Sequence, residues 1–298
     1  MRNLKIFQMK LGHQILSDYW ELTKPGVTFM VIISTCGGFY LGAENALDYV
    51  LLFHALFGSW LVAAGTNALN QLIERDIDAT MKRTRKRPLP AGRRSVREVR
   101  VFAISISVSG IVYLSIATNL LTGVLAALTL ASYVFIYTPL KRKTPLSTVI
   151  GAIPGALPAM GGWTAVQGEI TVGAWVLFAI LFFWQLPHFL AIAWIYREDY
   201  VRGGFPVLPV LDKNSSTTGI HIIVNCLALL SVSLLPTLLG MTGAIYFVGA
   251  FILGLLFLIS GIRVAVLRTN LNAKQLLHAS IIYLPILIAL MFIDKTAG

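Results

Sequence analysis

Nine apolar runs, each near the length a bilayer demands, dominate this chain. They lie at 26–43, 50–70, 101–118, 121–138, 148–166, 172–193, 218–240, 244–262 and 277–293. An α-helix needs ~20 apolar residues to cross the hydrocarbon core. Backbone groups in lipid must satisfy one another, which leaves the helix as the form for runs of this kind. The expected fold is therefore all-α: a polytopic membrane protein of about nine transmembrane helices around a central cavity. Composition agrees, with 56% hydrophobic and only 12% charged residues. A water-soluble enzyme is excluded, as is a disordered or disulfide-built chain. Cys36 and Cys226 lie far apart in apolar runs and have no metal-ligand spacing.

The charges orient the runs. Threading nine spans puts 1–25, 71–100, 139–147, 194–217 and 263–276 on one side, and these hold every Lys and Arg except Lys295. The opposite loops contain Glu44, Asp48 and Glu169 and no cation. Cytoplasmic loops concentrate Lys and Arg, so the expectation is N-in, C-out. The net charge of +11 then marks topology on a lipid bilayer and implies no nucleic acid. Residues 1–25 lack the uninterrupted apolar core of a signal peptide and read as an interfacial segment on the cytoplasmic face. The whole of 1–298 reads as a single domain. Pro25 and Pro145, and likewise Asp78 and Glu198, are separated by the same interval. This faint repeat suggests two four-helix halves, about 26–138 and 148–262, plus a final helix at 277–293.

Residues 67–92 read NALNQLIERDIDATMKRTRKRPLPAG. Asn70, Glu74 and Asp78 recur every fourth residue and fall within about an 80° arc of one helix face, with Asn67 inside it and Asp76 pointing away. One amide and two carboxylates at the end of an apolar helix are hard oxygen ligands of the kind that suit Mg²⁺ shared with phosphates. The competing reading is local pairing, for which Asp78 and Lys82 have helical spacing. Lys82, Arg83, Arg85, Lys86 and Arg87 follow at once, and guanidinium forks hold phosphate oxygens. An acidic face followed by an arginine loop is what a diphosphate requires. Lys141, Arg142 and Lys143 end the fourth run, either as topological anchors or as further phosphate contacts. Glu198 and Asp199 end the sixth. His188 lies in that run, where an ionisable residue is a functional candidate or a neutral side chain bonded to a neighbouring helix.

The pattern N-x-x-x-(D/E)-x-x-x-D followed by R-T-x-x-R-P resembles the UbiA superfamily of intramembrane prenyltransferases. Glu74 stands where that family most often has Asp. The family's second motif, D-x-x-x-D, lacks its second carboxylate here, because Gly203 follows Asp199 by four. The segment W-Q-x-P-H-F…W-x-Y…D-Y-x-x-G, together with YTPLKRKTP at 137–145 and PAMGGW at 158–163, is similar to the haem-prenylating branch. That resemblance implies transfer of a farnesyl group from farnesyl diphosphate to the vinyl group of haem B, giving haem O, with haem B as substrate. It implies Mg²⁺ as cofactor, with Asn70, Glu74, Asp78 and Asp199 as the catalytic metal-binding set. Arg83, Arg87, Lys141 and Arg142 would bind diphosphate, and His188 would bind haem. It further implies a prokaryotic cell membrane, cytoplasmic active-site loops, and contact with a haem A synthase or terminal oxidase assembly. Two other readings stand beside it: a relative acting on an aromatic acceptor such as a quinone precursor, and a polytopic transporter.

Overall fold

A computed structural model describes residues 2–44 and 46–296, with side chains from residue 12 onward. Twelve α-helices follow one another: α1 Arg2–Leu22, α2 Pro25–Gly42, α3 Tyr49–Asp78, α4 Val96–Ala117, α5 beginning Leu120–Ala131, α6 Ser147–Gln167, α7 Val172–Ile195, α8 Arg197–Arg202, α9 Leu208–Leu211, α10 Ser216–Leu238, α11 Ala244–Leu267 and α12 Asn270–Ile293. Helix α5 continues through a π-helical segment, Ser132–Tyr137, and one last turn, Thr138–Leu140. Among the described residues, nine of these helices are long and apolar enough to cross a membrane, as expected.

Local chemistry sets the ends. Asp48 caps α3 by accepting from the Val50 and Leu51 amides, each at 2.9 Å. Ser95 and Glu98 form a reciprocal capping box at the start of α4. Pro25 opens α2, where its missing N–H costs nothing. Two expected boundaries move. Helix α3 does not stop near residue 70 but runs to Asp78, because the polar stripe continues its 3.6-residue period while its side chains face protein. The loop expected at 263–276 shrinks to Arg268 and Thr269, since Thr269 caps α12 through the Asn272 amide and starts it at Asn270.

Small residues let the helices approach. A Cβ at Gly38 would lie 1.9 Å from the Ala159 carbonyl oxygen, and one at Gly162 would lie 2.0 Å from that of Thr35. The α2–α6 crossing is therefore backbone against backbone, the usual membrane solution where lipid supplies no hydrophobic drive. Helix α7 runs through the core, packing Ile180 and Trp184 with Trp163, Tyr246 and Tyr283. Large apolar side chains such as Phe29, Val108 and Ile252 are exposed on outer faces, as lipid-facing surfaces require.

Candidate active site

The last turns of α3 wall a cavity of about 250 Å³. Asn70, Glu74 and Asp78 all line it and are buried to within 7% of full burial. Each presents its oxygen to a different cation. Lys24 Nζ donates to Asn70 Oδ1 at 2.7 Å, Lys141 Nζ to Glu74 Oε1 at 2.8 Å, and Arg87 to Asp78 Oδ2 at 2.7 Å. Arg83 also lines the cavity, with its guanidinium 5.2 Å from the Tyr196 ring centre. Four cations thus meet two carboxylates. A partly enclosed cavity with surplus positive charge favours an anionic occupant, because unpaired charge away from water is costly.

Among the described residues no three Asp, Glu, His or Cys side chains cluster together. The Asn70 amide completes the oxygen stripe. Three hard oxygens on one helix face suit Mg²⁺, which keeps waters and takes its remaining ligands from phosphate.

Two local devices place the cations. Lys24 sits in an elbow between α1 and α2, in the left-handed conformation at φ 46°. Helix α3 grips this elbow: Asn67 Nδ2 donates to the Thr23 carbonyl and Thr28 hydroxyl, and Gln71 Nε2 to the Glu21 and Leu22 carbonyls. Desolvation, then the nearby Arg87 and Lys141 charges, bring the Lys24 ammonium down to about 7 from its ordinary 10.5. The π-helical segment of α5 is the second device. Just after it, the Thr138 hydroxyl donates to the Tyr133 carbonyl at 2.8 Å and accepts from Asn70 Nδ2 at 3.3 Å. The segment also carries Tyr137 beneath Lys141, whose Nζ lies 4.6 Å from the ring centre. Single π turns recur at functional sites because they re-aim side chains.

A second cavity of about 220 Å³ shares Val27, Tyr137 and Phe189 with the first. Its walls are mostly apolar, including Val31, Val62, Leu125 and Pro158. A polar, cation-rich cavity therefore adjoins a mostly apolar one between helices.

The structure sorts the sequence-predicted residues. Asn70, Glu74, Asp78, Arg83, Arg87 and Lys141 come together. Arg142 is exposed and lines neither cavity. Asp199 is buried but lies outside the cavity walls: it accepts from the Lys82 and Arg83 amides at 2.9 and 3.2 Å and pairs with Arg202. It grips the loop carrying Arg83. His188 lies on another face of α7, stacked on Trp184, with Nδ1 2.7 Å from the Ser280 hydroxyl of α12. Lys24 is a cavity residue that the motif reading passed over. The only sequence sign for Lys24 is its place between a helix-ending Thr and a helix-starting Pro.

A family profile described as the UbiA prenyltransferase family matches residues 31–284. This chain belongs to that family. A protein of Solibacter usitatus named protoheme IX farnesyltransferase is 47% identical over 289 residues, covering 94% of this chain and 99% of its own. One of the same name from Salinibacter ruber is 44% identical over 280 residues, covering 94% and 99%. The fold is shared with the apo structure of a UbiA homolog from Aeropyrum pernix K1, at a TM-score of 0.71 and 20% identity over 90% of this chain and 97% of that one. It is also shared with a UbiA homolog from Archaeoglobus fulgidus, solved bound to DMAPP and Mg²⁺, at 0.66 and 18% over 93% and 98%. In this prenyltransferase family, the polar and apolar cavities are the natural candidates for the two ends of a prenyl diphosphate.

Proposed function

We propose that this chain transfers the farnesyl group of farnesyl diphosphate to a vinyl group of haem B, giving haem O. The observation that carries the donor half is the one-to-one pairing of Asn70, Glu74 and Asp78 with Lys24, Lys141 and Arg87 at the head of an apolar cavity. The acceptor half rests on the relatives' name and on the segment from Trp184 to His188.

Asn70, Glu74 and Asp78 would hold Mg²⁺, which when bound supplies neutralising charge for the departing diphosphate. The three cations then turn from the acids to the outer phosphate oxygens, where charge-assisted hydrogen bonds are strong. Arg83 closes the rim, held there by Asp199. Asp199 itself becomes a metal ligand only if it releases the Lys82 and Arg83 amides. Departure of diphosphate leaves an allylic cation near Tyr137 and Phe189, where the two cavities meet, and the Tyr137 ring stabilises it electrostatically. The apolar walls keep bulk water from quenching it.

The terminal vinyl carbon of haem attacks the farnesyl C1. Water adds to the neighbouring carbon, and its proton leaves with the diphosphate. His188 would orient haem: Ser280 engages Nδ1 and leaves Nε2 for the iron, the arrangement by which a partner on one ring nitrogen orients the other. Arg142 serves topology, among the cations that face the cytoplasm in this reading.

The test offers membranes containing the protein haem B and hydroxybenzoate together, with farnesyl diphosphate and Mg²⁺, and identifies products by mass spectrometry. The expected product is haem heavier by one farnesyl group and one hydroxyl group. Prenylated hydroxybenzoate with unchanged haem would move the protein to the aromatic-acceptor reading. A chain that releases no diphosphate under any of these conditions would fit a transporter instead.

A further inference from the structure

Helix α1 precedes the first span, and none of its described side chains enters either cavity. Its last turns nonetheless hold a buried ionic cluster. Asp18 is 1% exposed, accepts from Arg94 Nε at 2.9 Å and forms an ion pair with Arg93 Nε, also at 2.9 Å. Glu21 pairs with Arg93 as well, and the Arg94 guanidinium lies over the Tyr19 ring. Membrane orientation needs cations at the interface, not a carboxylate withdrawn from water beneath two arginines. A buried pair of this kind is costly to form and damaging to break, so its position calls for a reason.

We propose that Asp18 is a positioning residue for the diphosphate site, and that α1 is a strap fixing the distance between two cationic walls. This rests on the prenyl diphosphate reading given above. One wall is the arginine loop. Arg93, besides binding Asp18, donates to the Lys86 carbonyl at 2.9 Å, and the next residue, Arg87, holds Asp78. The amides of Arg93 and Arg94 both return to the Pro88 carbonyl, so hydrogen bonds tie the segment from Lys86 to Arg94 together. The other wall is the elbow. The Glu21 and Leu22 carbonyls at the end of α1 are held by Gln71, and Lys24 beyond them holds Asn70.

Residues 18–24 therefore touch both walls within two helical turns. The walls carry charge of one sign and repel. Asp18 neutralises guanidinium groups on the outer side of the loop and resists that separation without adding negative charge to the cavity, where it would repel the substrate.

The strap acts on ground and transition states alike, so its loss raises KM more than it lowers kcat. The experiment uses the full chain in lipid nanodiscs. It measures inorganic pyrophosphate binding with Mg²⁺ by calorimetry, and steady-state kinetics with farnesyl diphosphate. Asp18→Asn is expected to weaken pyrophosphate binding about tenfold, or about 1.4 kcal/mol, and to raise KM by a similar factor with kcat nearly unchanged. Asp18→Glu, which keeps the charge, should recover most of the loss. Arg94→Met should reproduce it and add nothing to Asp18→Asn, the sign of a shared interaction. If Asp18→Asn does not fold, Arg94→Met carries the same test. A folded Asp18→Asn that unfolds at the wild-type temperature and binds pyrophosphate with wild-type affinity overturns the strap. A wild-type chain that binds no pyrophosphate overturns both the strap and the function it rests on, which separates the two failures.

Discussion

The chain carries two acidic clusters at helix ends beside its cavity, and they are used differently. Glu74 and Asp78 lie within α3, on a face that a 30-residue helix keeps turned toward protein. Both line the cavity, and each has its own cation. Glu198 and Asp199 come after α7 has ended, in a six-residue helix of their own. Glu198 is 86% exposed and 3.8 Å from Arg202, while Asp199 spends its oxygens on loop amides. Helical register turns an acid toward the cavity, whereas a chain turn presents it to backbone. The same contrast recurs between adjacent residues, since Lys141 reaches Glu74 while Arg142 points away.

Five substitutions sharpen or break this contrast. Asp78→Ala should have the largest effect. It removes a proposed metal ligand and leaves the half-buried Arg87 without its partner, for a loss of about a thousandfold in kcat/KM, measured as diphosphate release from membranes of equal protein content. Lys141→Met should follow, at about a hundredfold, because it strands Glu74 and removes a proposed phosphate contact. Arg142→Met in the same assay should stay within about twofold, and equal losses for the two would collapse the inside–outside distinction. Asp199→Ala comes next. Losing hydrogen bonds to a charged acceptor costs about tenfold, expressed in the KM for farnesyl diphosphate as the Arg83 loop loosens. A thousandfold loss in kcat would instead make Asp199 a direct metal ligand. Glu198→Gln should change neither parameter by more than about twofold.

Much of this was legible in the residues. Hydropathy located the nine spans because lipid punishes any other arrangement of such runs. The four-residue spacing of Asn70, Glu74 and Asp78 identified their common face even though the end of the apolar run suggested a shorter helix. What escaped depends on contacts between distant segments. Lys24 looks like any topological cation until the elbow aims it at Asn70, 46 residues on. The π turn that positions Tyr137 has no sequence signature, because it depends on Thr138 meeting Asn70 and on neighbouring helices. The placement of His188 against Ser280, 92 residues away, could not follow from helical spacing. Nor does the order Lys141, Arg142, Lys143 say which cation turns inward.

In the proposed function the oxygens of Asn70, Glu74 and Asp78, paired with cations in this structure, bind a divalent metal together with a diphosphate. Its most direct test follows diphosphate release from farnesyl diphosphate in chelator-stripped membranes as Mg²⁺ is restored, for the wild-type chain and for Asp78→Ala. The account predicts release that is absent without Mg²⁺, returns and saturates with it, and does not return in Asp78→Ala. Release that proceeds without a divalent metal, or that returns equally in Asp78→Ala, would contradict it.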